Sequence, residues 1–113
     1  MRLNECKKIA KSFDELITCF LTKKYKHIVT DINSFDDKVV VSVKVDDLSN
    51  EDSELIYQAL NDKRNHSLEE FGWELLGESE DSTELELVGA LFDEFELTKE
   101  GNITSIKLTR YYE

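Results

Sequence analysis

The chain has 113 residues, with 25 acidic against 14 basic side chains and a net charge of −11. That length fits one domain, residues 1–113, with a single core. The acidity argues against phosphate-contact binding to nucleic acid and against anionic membrane surfaces as partners. Hydrophobic residues make up 40% of the chain and are patterned, so a folded domain is expected despite 35% charged residues.

Asn4 is a predicted N-cap for a helix running to about Lys24. Ile9, Phe13, Leu16, Ile17, Phe20 and Leu21 form its apolar stripe. Lys23, Lys24 and Lys26 follow, where positive charge suits the helix dipole. Cys6 and Cys19 lie 13 residues apart on this helix. At about 1.5 Å per residue they are separated by roughly 20 Å and cannot bridge within it. Met1 to Lys8 is polar and charged, unlike a signal peptide, so a reducing cytoplasm is the expected compartment.

His27 to Phe35 reads as a first strand, Asp36-Asp37-Lys38 as a tight connection, and Val39 to Val45 as the strongest strand. Together they predict a β-hairpin. Ser49 with Asp52 three residues on resembles a cap for a short helix through Leu55, Ile56, Ala59 and Leu60, ending near Asn61. Ser67-Leu68-Glu69-Glu70 has the form of a capping box. It opens a further helix with Phe71, Leu75 and Leu76, stopped by Gly77. Trp73 on that helix is expected to be partly buried, with an interface anchor as the alternative. Glu78 to Asp81 is an acidic loop.

Ser82 to Phe92 places Leu85, Val88, Leu91 and Phe92 at helical spacing. Asp93 to Leu97 alternates, Gly101-Asn102 supplies a turn, and Ile103 to Arg110 alternates again through Ile106 and Leu108. The order predicts an α+β two-layer sandwich. Its mixed, mainly antiparallel sheet would have about four strands, with helices on one face. His27 and His66 have no zinc spacing with the cysteines, so no metal site is expected, and no nucleophile or phosphate-loop motif is present.

The block LVGALFDEFELTKEGNITSIKLTRY resembles the C-terminal end of the histidine-kinase-type ATPase domain, in the small version found in anti-sigma-factor serine kinases. The resemblance runs from about Lys7 to Arg110. In that family a helix carries a glutamate that polarises the attacking group and, four residues on, an asparagine that helps hold magnesium. Glu15-Leu16-Ile17-Thr18-Cys19 looks like that motif, with Glu15 in the catalytic position and Cys19 where the magnesium-binding asparagine stands. A thiol is a poor ligand for so hard a cation.

The family's adenine-reading aspartate ends a central strand before a D-x-G-x-G turn. Asp46 stands in that place, but Leu48 and Asn50 replace the glycines, whose freedom lets the backbone approach the purine. Ser82 and Glu84 take the glycine positions at the mouth of the nucleotide lid, and Glu84 puts negative charge where a phosphate would sit. Fourteen residues precede Glu15, where the family places a strand and a helix. The resemblance therefore implies a trimmed domain with a bare sheet edge, open to a homodimer or another protein partner.

The expected function is a degenerate histidine-kinase-type ATPase-like domain, without cofactor, acting as a protein-interaction module in anti-sigma-factor-like signalling. One alternative is a divergent serine kinase or ATPase that binds ATP with magnesium. In it Glu15 is the general base, Asp46 the adenine reader, and backbone N–H groups near Ser82 the phosphate cradle. Another is an unrelated small α+β dimerisation module. A strand order that separated Val39–Val45 from the C-terminal hairpin would favour that last reading.

Overall fold

The computed structural model describes residues 3–61 and 83–112. The elements in chain order are α1 (Leu3–Thr22), β1 (Ile28–Ser34), β2 (Lys38–Asp46), α2 (Asn50–Leu60), α3 (Thr83–Ala90), β3 (Glu94–Glu100) and β4 (Ile103–Tyr111). The expected helix from Ser67, Trp73 upon it and the acidic loop at Glu78–Asp81 lie outside the described residues.

The four strands form one sheet in the order β1-β2-β4-β3, and all three pairings are antiparallel. The architecture is α+β, with helices packed against one face of an open sheet. Two hairpins supply the edges, and β2 against β4 joins the two halves of the chain. The strongest predicted strand therefore does stand beside the C-terminal hairpin.

Alternation along β2 and β4 decides which face is buried. Val39, Val41, Val43 and Val45 are buried, opposite Arg110, Leu108, Ile106 and Thr104 respectively. Ile9, Leu16 and Phe20 of α1, Ile56 and Leu60 of α2, and Val88 of α3 close over them. Arg110 is the one charged member of that row, and it is fully buried. Its Nε and Nη2 each donate to a Glu5 carboxylate oxygen at 2.7 Å, and its Nη1 donates to the Leu91 carbonyl at 2.7 Å. One guanidinium thus ties β4 to the start of α1 and to the end of α3.

Several local expectations are corrected. Asn4 lies inside α1 rather than capping it. Leu21 and Leu55 are 60% and 52% exposed, while Ser12 takes the inward position between Ile9 and Leu16 by bonding back to the Lys8 carbonyl. A buried serine is tolerated there because its hydroxyl finds that acceptor. β1 is one residue shorter at each end than the predicted span, and Lys38 belongs to β2 rather than to the turn. α3 stops at Ala90 and β3 runs on to Glu100.

α1 also ends earlier than Lys24, for a reason visible in its backbone. Lys24 has φ 67°, the Lys24 N–H donates to the Leu21 carbonyl, and the Tyr25 N–H reaches back to the Phe20 carbonyl. These bonds make a Schellman cap, with the Tyr25 ring set edge-on to Phe20. A left-handed lysine sits where glycine is favoured. Lys24→Gly is therefore expected to raise unfolding free energy by about 1 kcal/mol, read by urea denaturation; a loss of stability would contradict this cap.

Candidate functional site

Sequence-derived interest falls on Glu15, Cys19, Asp46, Ser82 and Glu84. Ser82 lies outside the described residues, as does the side chain of Glu84, although the backbone at 84 is part of α3. The other three are placed.

Glu15, Cys19 and Lys23 follow one another at four-residue spacing, so they share a side of the α1 surface. The row runs toward the N-terminus of α2, because Lys23 Nζ lies 3.0 Å from Asp52 Oδ1. Asp52 completes a small knot. The Tyr25 hydroxyl donates to Asp52 Oδ2, accepts from the Ser49 N–H at 3.1 Å and lies 3.3 Å from Ser49 Oγ. Ser49 in turn caps α2 by accepting from the Asp52 N–H at 3.1 Å, as its spacing predicts.

Charge in this corner is set by those contacts. The Tyr25 hydroxyl, followed by Lys23 and Ser49, holds the Asp52 carboxyl below its usual 3.8 against a burial that pushes it up. The hydrogen bond to Asp52 raises Lys23 above its usual 10.5. Burial pushes the Cys19 thiol up, Lys23 opposes it, and the carboxylates of Asp52 and Glu15 add to the rise. Cys19 is therefore a protonated, half-buried group at neutral pH, with neither the charge of a nucleophile nor the oxygen of a magnesium ligand.

The sign of the Asp52 effect follows from linkage. A carboxyl held below its unfolded value contributes stability above that value and loses it as pH falls through the folded one. Asp52→Asn is expected to cost about 1 kcal/mol at neutral pH, chiefly through the weakened Tyr25 and Lys23 contacts. It should also flatten the loss of stability below pH 3.8. Urea melts of both proteins across the acid range check this, and identical acid limbs would contradict it.

Asp46 is placed differently. It follows Val45, so alternation sets it on the face of the sheet opposite the buried valines. There its Oδ2 lies 3.3 Å from His27 Nδ1, and its own N–H donates to the His27 carbonyl. The sheet thus stands between Asp46 and the helix-borne row of Glu15 and Cys19. The bend that follows is fixed by Asp47, at φ 60°, whose N–H donates to the Asn102 carbonyl while Asn102 Nδ2 donates to Asp47 Oδ1. A left-handed Asp takes up here the geometry that a glycine gives most easily.

The α2 N-terminus, where backbone N–H groups could receive an anion, is capped by Ser49 and carries Glu51 and Asp52 in its first turn. One buried group stays unsatisfied: Thr104 Oγ1, on the helix-covered face opposite Val45, has no hydrogen-bond partner among the described residues. Among the described residues no three His, Cys, Asp or Glu side chains gather as a metal site, and no helix is long and apolar enough to cross a membrane.

Sequence reading singled out Ser49 and Asp52 through the capping spacing but missed Tyr25, which follows the lysines with no periodic signal. No protein-family model, no curated protein and no solved structure matches the chain.

Proposed function

We propose that the chain is a degenerate histidine-kinase-type ATPase-like domain that acts through protein contacts, as a cytoplasmic regulatory module of the anti-sigma-factor kind. The carrying observation is that the positions matching the family's nucleotide motifs hold groups turned to other uses. Cys19 is a raised thiol beside Lys23, Asp46 meets His27 on the open face, and the α2 N-terminus is closed by Ser49, Asp52 and Tyr25. The placement of β2 beside β4 is compatible with the resemblance and supports keeping it.

A second reading, a divergent ATP- and magnesium-binding kinase or ATPase, draws on one observation. The buried, unsatisfied Thr104 hydroxyl near the Asp46 end of the sheet is the kind of group a bound ligand could satisfy. Calorimetry and thermal shift with magnesium-ATP and magnesium-ADP separate the two. No binding up to about 1 mM is expected for the degenerate domain. Micromolar binding, weakened by Asp46→Asn on the open face or by Thr104→Val on the helix-covered one, would overturn it in favour of the second reading. Loss of phosphoryl transfer in Glu15→Ala would then be the next test.

A further inference from the structure

The two edges of the sheet differ in a way that bears on partners. β3 carries Glu94, Glu96, Lys99 and Glu100 among its seven residues, the charged dressing that keeps an edge from pairing. β1, also seven residues long, carries a single charge, Asp31. Two of its three apolar side chains are open to solvent: Val29 is 47% exposed and Ile32 48%, and Phe35, just beyond the strand, is 51% exposed. Ile32 lies on the face that the helices cover elsewhere; Ile28, on the same face, packs partly against the core, so among the described residues the cover over β1 ends between the two.

The backbone fixes what can add to this edge. The Asp46 N–H donates to the His27 carbonyl at 3.2 Å, and the Phe35 N–H donates to the Lys38 carbonyl at 2.8 Å. Odd-numbered residues of the strand therefore bond inward to β2. In an antiparallel ladder this turns the N–H and C=O groups of Ile28, Thr30, Ile32 and Ser34 outward. A symmetric pairing with an identical strand must match even residues with even residues. A two-fold axis at Asp31 would set Asp31 directly against its own copy, which like-charge repulsion disfavours. An axis at Thr30 would set Val29 against Asp31. An axis at Ile32 sets Ile32 against Ile32, Thr30 against Ser34, Asp31 against Asn33, and Val29 against Phe35.

We infer that β1 is a homodimerisation edge, at which a second copy adds its own β1 antiparallel across a two-fold axis at Ile32, making one eight-stranded sheet. At the ends, this register sets His27 of each copy opposite Asp37 of the other and Lys26 opposite Lys38, with Asp36 on the diagonal from Lys26. At about 0.15 M salt the Debye length of roughly 8 Å screens the rest of the net charge. The inference stands on the edge of β1 alone and does not depend on the nucleotide reading.

Sedimentation under reducing conditions tests it with the intact chain. The wild type is expected to pass reversibly from 13.1 kDa to twice that mass as concentration rises, with a dissociation constant in the micromolar range because a one-strand interface is small. Ile32→Lys should abolish the dimer while circular dichroism stays unchanged. Thr30→Pro should do the same, since the N–H it removes points away from β2. Asn33 reports the register. Asn33→Asp sets one carboxylate against Asp31 of the other copy at each of the two symmetry-related contacts and should weaken association about tenfold, whereas Asn33→Lys should strengthen it by a similar factor. A protein that stays monomeric to about 1 mM overturns the inference. So does a dimer that survives Ile32→Lys, or one indifferent to both Asn33 variants.

Discussion

Glu5→Ala is expected to lower unfolding free energy by about 3 kcal/mol at neutral pH, the scale found when one partner of a buried ion pair is removed. The Arg110 side chain is 1% exposed and that of Glu5 17%, and two 2.7 Å hydrogen bonds join them. Without Glu5 the guanidinium keeps its bond to the Leu91 carbonyl but loses two short charge-assisted hydrogen bonds. The pair is not itself a large source of stability, because both ions had to be desolvated. Replacing both, as Glu5→Ala with Arg110→Met, should therefore cost much less than the sum of the single changes. A urea double-mutant cycle is expected to give a coupling energy of about 2 kcal/mol. Additive losses would show that the pair does not hold α1 to β4.

Gly89→Ala is expected to destabilise the fold by about 2 kcal/mol, although alanine is the better helix former by about 1 kcal/mol. A Cβ at this position would lie 2.9 Å from the Ala59 carbonyl oxygen and 3.1 Å from Leu60 Cα. Both are backbone atoms of α2, so no side chain can swing aside. α2 and α3 would have to separate, loosening Ile56, Leu60 and Val88 in the core. Thermal and urea melts of the variant check this. A gain in stability would mean that helix propensity wins and that the two helices are not in close contact.

These two sites mark where sequence reading stopped. The hairpins are legible because Val39–Val45 and Ile103–Arg110 largely alternate about a turn, and a strand with one buried face favours that period. The α2 start was legible from Ser49 and Asp52, since a cap is a local arrangement. Arg110 was read as the last residue of a strand, and Glu5 drew no attention. Their pairing spans 105 positions and leaves no local pattern. Gly89 carries no local signal either, because its role depends on a carbonyl thirty residues earlier. Around the candidate site, Glu15 and Cys19 stand in one family-like motif and Asp46 in another. Their separation by the sheet was not legible until the parity of Val45 and Asp46 was fixed by the fold.

The degenerate reading comes down to whether the chain between β2 and α2 still meets a nucleotide. Amide chemical shifts of uniformly labelled protein, followed while magnesium-ATP is added to about 1 mM, address that segment directly. Unmoved amides from Asp46 to Asp52, with the Tyr25–Asp52 contact intact, are the expected result. Saturable, concerted shifts of Asp46, Asp47 and the first turn of α2 would contradict it and place a working nucleotide site where a closed helix cap stands.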